Sequence, residues 1–278
     1  MDWHKRFVQQ ASWTRALRAY LFERAGMVTA RNVLEVGCGT GAILSDITTR
    51  TSVHGLDLEP GRLVEARLHV PEAAFVCGDV VCLPYSSGVF DVTFCHFLLL
   101  WVRDPLQALR EMRRVTCPGG NILALAEPDY NARVDKPDTL APLGRWQAES
   151  LRRQGADPGV GARLAELFRQ AGIPPIETGT LRGSPGSSTG RGSPGSRTGR
   201  GSPGSSISSR ISYGTGPAGG ECPPAPGERE LEWAVLQADL AGSVPAEEIQ
   251  RLKRLDEEAW ERGERVLYVP TYFAWGQV

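Results

Sequence analysis

The sequence predicts an α/β fold, a doubly wound sheet with helices on both faces, on three observations. Short apolar, β-branched runs alternate with segments of helical periodicity. The first run ends in a glycine-rich turn, and an acid follows each of the next two runs. Strand–helix–strand units of this kind form parallel pairs through right-handed crossovers and stack into a doubly wound sheet. With 278 residues, 41% of them hydrophobic, the chain has room for one large domain or two small ones around a substantial core.

In chain order, residues 1–29 carry an aromatic and polar helical face made of Trp3, His4, Phe7, Gln10, Trp13, Thr14 and Tyr20. Residues 32–36 and 53–58 read as buried strands. Between them residues 42–49 are expected to be helical, with Ile43, Leu44 and Ile47 on one face. Residues 61–69 read as helix, 74–77 as a third strand and 90–97 as a fourth. Asp104, Pro105 and Gln107 supply a capping acid, a proline at the first helical position and a Gln able to reach back. The helix they start is expected to stop at Cys117-Pro118-Gly119-Gly120. A fifth strand follows at 121–126, helices at 140–154 and 160–170, and a sixth strand at 175–180. Residues 228–240 and 246–262 are amphipathic helices. Residues 265–275, rich in Val, Tyr, Phe and Trp, form the final strand, in which Pro270 marks a bulge or an edge.

The stretch 181–220 departs from this pattern. It is dominated by Gly, Ser and Pro, repeats Gly-Ser-Pro-Gly-Ser from residues 183, 192 and 201, and cannot build a core. Its five arginines, Arg182, Arg191, Arg197, Arg200 and Arg210, are accompanied by no acid, so the rest of the chain is net acidic. It reads as an insertion within one domain, since loop closure costs little more as a loop lengthens, or as a basic arm for an anionic partner. Over the whole chain 31 basic residues balance 32 acidic ones, so no overall field draws it to nucleic acid or membrane. The longest apolar run, residues 97–102, is far short of the roughly 20 residues a spanning helix needs. Six scattered cysteines show neither zinc-site spacing nor disulfide density; no metal is expected, and reduced thiols in the cytoplasm are.

The glycine turn, Glu35-Val36-Gly37-Cys38-Gly39-Thr40-Gly41, lets the backbone approach a ligand where the first strand gives way to helix. Two adenosine-bearing ligands compete for it. A diphosphate would bring negative charge about 5 Å from Glu35, opposed by roughly 3 kcal/mol per charge at an effective dielectric near 20. A zwitterionic amino acid on a cationic sulfonium, as in S-adenosyl-L-methionine, can use that acid. Asp57, beside Leu58 at the end of the second strand, can accept both ribose hydroxyls of either ligand. Asp79, in Gly78-Asp79-Val80 after the third strand, can accept adenine amino hydrogens while the Val80 amide meets the ring, and this favours the sulfonium compound.

These motifs, with Phe90-Asp91-Val92 and Pro118-Gly119-Gly120, resemble in content and order those of class I S-adenosylmethionine-dependent methyltransferases, nearest the small-molecule, type 11-like branch. The resemblance covers about residues 31–127. It implies a Rossmann-like sheet of about seven strands with the last antiparallel, here with helices inserted before it. The chain is thus expected to divide into an N-terminal helical lid (1–29), a cofactor-binding core (30–180), the final strand (264–278) and, departing from the family pattern before it, the Gly/Ser/Pro/Arg-rich flexible insertion (181–226) and a helical insertion (227–263). The resemblance implies cofactor contact by Glu35, Gly37, Cys38, Gly39, Gly41, Asp57, Leu58, Asp79 and Val80, and by Gln10, Trp13 and Thr14 from the lid. His96, at the end of the fourth strand, is a packing residue, a cofactor contact or a base. Asp129 and Tyr130 end the fifth strand at the same rim, offering an acid and a phenol toward the transferred methyl or serving the loop alone.

The activity so implied is in-line methyl transfer to a small-molecule N, O or C nucleophile, with nucleic acid not expected as a partner and the oligomeric state left open. An NAD-dependent oxidoreductase and a non-catalytic cofactor-binding protein are the alternatives.

Overall fold

The computed structural model describes residues 2–47, 52–181, 213–214 and 226–278. In place of one N-terminal helix there are two, α1 (Trp3–Trp13) and α2 (Arg15–Arg24), broken at the buried Thr14. Then come β1 (Asn32–Val36), β2 (Ser52–Asp57), α3 (Pro60–His69), β3 (Ala74–Cys77), β4 (Phe90–Cys95), α4 (Pro105–Val115) and β5 (Thr116–Pro128). The second half holds β6 (Val134–Lys136), α5 (Pro142–Arg153), α6 (Leu164–Gln170), β7 (Pro175–Leu181), β8 (Tyr213–Gly214), α7 (Pro226–Leu240), α8 (Ala246–Glu261), β9 (Val266–Tyr268) and β10 (Thr271–Gln277).

The main sheet has seven strands in the order β3-β2-β1-β4-β5-β10-β7. The pairs from β3 through β5 are parallel, and β10 runs antiparallel to both neighbours. Alternation along the strands sends side chains to two cores. Leu34, Ile122 and Ala124 face Leu109, Met112 and Phe168 of α4 and α6, whereas Val33, Leu123 and Leu125 face Leu17, Leu21 and Leu63 of α2 and α3. A third apolar cluster, including Leu143, Trp233, Leu240 and Leu252, joins α5, α7 and α8. Buried Arg265 fastens it to the small sheet β6-β9-β8 by pairing with Asp135 and Asp256, and Asp256 also accepts the Trp233 indole N–H at 2.8 Å.

Three further expectations are corrected. The helix expected over 42–49 is a single 3-10 turn, Leu44–Asp46, followed by residues 48–51 outside the described part. β-branched Ile43 and Ile47 favour helix weakly, and the carboxylate of Asp46 is drawn out to Arg18. The single final strand is two: β9 belongs to the small sheet, and after Pro270, which has no N–H for a ladder, the chain enters the main sheet as β10. Asp104 caps α4 through the Gln107 N–H at 2.9 Å, but the Gln107 side chain turns to the Val81 carbonyl at 3.4 Å instead of reaching back. The flexible insertion expected over 181–226, its basic-arm reading and Cys222 lie outside the described residues, apart from Leu181, β8 and Pro226. Among the described residues no helix is long and apolar enough to cross a membrane.

Candidate active site

Strand connections diverge between β1 and β4, and the carboxyl ends of these strands open there into a crevice, as in other open α/β sheets. The cleft measures about 1140 Å3, above the about 300–1,000 Å3 of an ordinary small-ligand pocket. It is large enough for two molecules side by side. One end is walled by the β1 turn and the ends of β2 and β3, the other by α5 and α7, and α1 lies along the side.

The turn needs its glycines twice over. Gly37, Gly39 and Gly41 have φ of +72°, +52° and +80°, the left-handed region. A Cβ on Gly37 would meet Leu98 Cδ1 at 2.5 Å, and one on Gly39 would meet Phe7 Cε2 at 2.8 Å. Asp57 holds the turn from the side: Oδ2 accepts the Gly39 N–H at 2.8 Å and Oδ1 the Glu59 N–H at 3.0 Å. Each oxygen keeps lone-pair capacity toward the cleft that Asp57 lines.

Glu35 is buried at the base of this turn, and its Oε2 has no hydrogen-bond partner. Burial pushes its carboxyl well above the usual range; Arg18 pulls it back, and the nearby Asp57 adds to the rise. An unpartnered buried carboxylate oxygen is costly, and a primary ammonium entering the cleft is the group that would satisfy it. The residues present therefore fit the amino-acid end of S-adenosylmethionine.

His96 also lines the cleft and shares a 2.9 Å hydrogen bond between Nε2 and the Thr14 hydroxyl, which in turn accepts from Arg18 Nη1 at 2.7 Å. Burial, with Arg18 nearby, lowers the His96 pKa to about 3, so the ring is neutral near pH 7. On the far side of β4, the buried Glu127 accepts the Leu98 N–H at 3.1 Å while its Oε2 is unpartnered. Burial pushes it up to about 7 against the pull of the Leu98–Leu100 amides.

Of the residues singled out in the sequence, Glu35, Gly37, Cys38, Gly39, Asp57 and Leu58 share the cleft. Asp79, Val80, Gln10, His96 and Tyr130 line it too. Gly41, Trp13, Thr14 and Asp129 do not. Trp13 packs edge-on against Phe97, and Thr14 reaches the cleft only through His96. The Asp129 Oδ1 caps the turn Tyr130–Ala132, accepting from Asn131 and Ala132 at 3.0 and 3.3 Å. Sequence reasoning missed Arg18, which joins α2 to Asp46 and to the Thr14–His96 pair. It also missed Gln147, Gln154 and Asp239 at the far end of the cleft, where both amides donate to the Asp239 carboxylate at 3.1 and 3.2 Å. No local motif marks these residues, because α5 and α7 are brought together only by folding.

This strand order, with its antiparallel insertion and its glycine turn beside two acids, defines a class I S-adenosylmethionine-dependent methyltransferase fold. Residues 34–124 match the type-11 family model described as "Methyltransferase domain". The chain is 34% identical over 165 residues to a demethylmenaquinone methyltransferase of Renibacterium salmoninarum, covering 56% of this chain and 66% of that protein. It is 34% identical over 127 residues to a malonyl-[acyl-carrier protein] O-methyltransferase of Halorhodospira halophila, covering 43% of each. The chain thus spans about half the length of the curated relatives it matches. A putative methyltransferase of Bacillus halodurans shares the fold, with a TM-score of 0.56, 14% identity, and 92% of this chain and 96% of that one covered.

Proposed function

We propose that this protein is an S-adenosylmethionine-dependent methyltransferase acting on a nitrogen, oxygen or carbon nucleophile of a small molecule. The observation that carries the reading is the unpartnered Oε2 of buried Glu35 at the glycine turn. When bound, the sulfonium compound supplies a methyl group already activated for displacement. Glu35 accepts its ammonium, Asp57 its ribose hydroxyls and Asp79 its adenine amino group. His96, held by Thr14, stays neutral and positions the methionine end. With a pKa of about 3 it is too weak a base to take a proton from an amine or phenol near pH 7. Rate enhancement then comes from holding donor and acceptor in line while α1 excludes water.

The far end of the cleft combines the apolar Leu151 and Val235 with Gln147, Gln154 and Asp239, which suits a compact organic acceptor bearing hydrogen-bond donors. The names of the two relatives, one for demethylmenaquinone and one for malonyl-acyl carrier protein, support an organic acceptor without selecting one. Balanced charge and the free cysteines of the described residues support a cytoplasmic setting without a nucleic-acid partner.

Calorimetry with two nucleoside ligands tests the reading. Glu35→Gln is expected to weaken adenosylhomocysteine about tenfold or more, the size of a lost charged hydrogen bond. 5′-Methylthioadenosine, which lacks the amino-acid end, should change by less than about threefold on the same scale. Equal losses for both, or saturable NADH binding without adenosylhomocysteine binding, would overturn it. Transfer of labelled methyl groups to a panel of amines, phenols and carbon acids then separates catalysis from cofactor binding alone.

A further inference from the structure

A second cluster of ligating groups joins α1 to α3, and none of its three residues lines the cleft. His4 of α1 stacks on His69 of α3, ring centroids 3.6 Å apart and planes 7° from parallel. Glu65 sits one turn before His69 on the same helix, its Oε1 3.9 Å from His69 Nε2, too far for a hydrogen bond. One ligating atom from each of the three lies within 4.8 Å of the other two. His4 Nδ1 is 2.8 Å from the hydroxyl of the buried Thr40. With Nδ1 donating there, Nε2 keeps its lone pair, the arrangement found where a histidine binds a metal through one nitrogen and is oriented through the other.

We propose that His4, Glu65 and His69 form a divalent-cation site, best suited to zinc, that pins α1 to α3. Two imidazoles and a carboxylate are a ligand set for borderline cations such as zinc, with a fourth position left for water. Bonds of about 2.0–2.1 Å require the ligating atoms to draw together to roughly 3.3 Å, and the stacked rings to turn out of parallel, since a cation must lie in the plane of each imidazole that holds it. His69 is exposed and His4 and Glu65 are half-buried, so the ligands can turn and the ion can enter. A cation held by all three would draw both rings and the Glu65 carboxylate to one point. The sequence reading expected no metal because its spacing rules look along the chain, and His4 reaches the Glu65–His69 pair only in the fold.

The consequence lies in what α1 carries. Trp3, Phe7 and Gln10 wall the cleft, and Thr40 is part of the glycine turn. An ion at this site holds the lid against the core, and by linkage a cofactor that binds the closed form raises zinc affinity by the factor by which zinc raises its own.

The test is competition for zinc between the full chain and a chromophoric chelator, using wild type, His69→Gln, Glu65→Gln and the double variant Cys77→Ser/Cys82→Ser. Wild type and the cysteine variant should bind one zinc per chain with equal affinity. His69→Gln and Glu65→Gln, both on the outer face of α3, should bind at least tenfold more weakly, and zinc should raise the melting temperature of wild type but not theirs. No saturable binding by wild type, wild-type affinity in either α3 variant, or loss confined to the cysteine variant would overturn the proposal.

Discussion

Phe7 and Gly39 are fitted to each other: the ring of the α1 residue occupies the space that a side chain at the turn residue would need. Gly39→Ala therefore combines a positive φ with a steric clash. It is expected to cost about 1–3 kcal/mol of stability and to weaken adenosylhomocysteine at least tenfold. Adding Phe7→Ala should restore the steric part but not the φ penalty, which urea unfolding of the two single variants and the double variant resolves. Wild-type ligand affinity in Gly39→Ala would show that the turn does not bind ligand.

Asp57 ties two backbone amides across the turn before any ligand arrives. Asp57→Ala leaves both donors unsatisfied and should lose about 1–3 kcal/mol for each that water cannot reach. Asp57→Asn keeps an acceptor and should lose less. Chemical denaturation of apo protein measures this apart from the affinity loss expected in both variants.

Glu127 gives stability a pH dependence of defined sign. Its native pKa of about 7 lies above the ordinary 4.5, so the fold favours the protonated form. The contribution is complete below about pH 4.5, declines as pH rises, and levels off above about 7, a fall of about 3 kcal/mol at 1.36 kcal/mol per unit. Glu127→Gln should remove this slope. Subtracting the two denaturation profiles isolates it from His96, whose depressed pKa slopes the opposite way, with stability lost as pH falls from about 6.5 toward 3. Parallel profiles would contradict the burial argument.

Asp129 is expected to matter for stability and not for chemistry. Asp129→Asn preserves the cap and should leave methyl transfer within about twofold, whereas Asp129→Ala should lose about 1 kcal/mol on unfolding. A hundredfold drop in kcat for Asp129→Asn at unchanged stability would return it to the reacting groups.

What the sequence disclosed was local. Glycines after β1, an acid after β2 and a capped proline before α4 are each set by a few neighbouring residues, and the order of strands follows from hydrophobic runs and crossover handedness. Pro270 signalled a break, but not that β9 would leave for a second sheet. Arg18, the Gln147–Asp239–Gln154 group and the pairing of His4 with His69 were hidden because their partners are brought together by tertiary packing. The same holds for Asp129: an acid at a strand end looks identical in sequence whether it faces a ligand or closes a turn.

The position of β10 bears on how the molecule is made. This segment is synthesised some ninety residues after β7, yet it fills the gap between β5 and β7. Until it emerges from the ribosome, both flanking strands present open hydrogen-bonding edges, and the nascent protein passes through a stage at which self-association competes with completion.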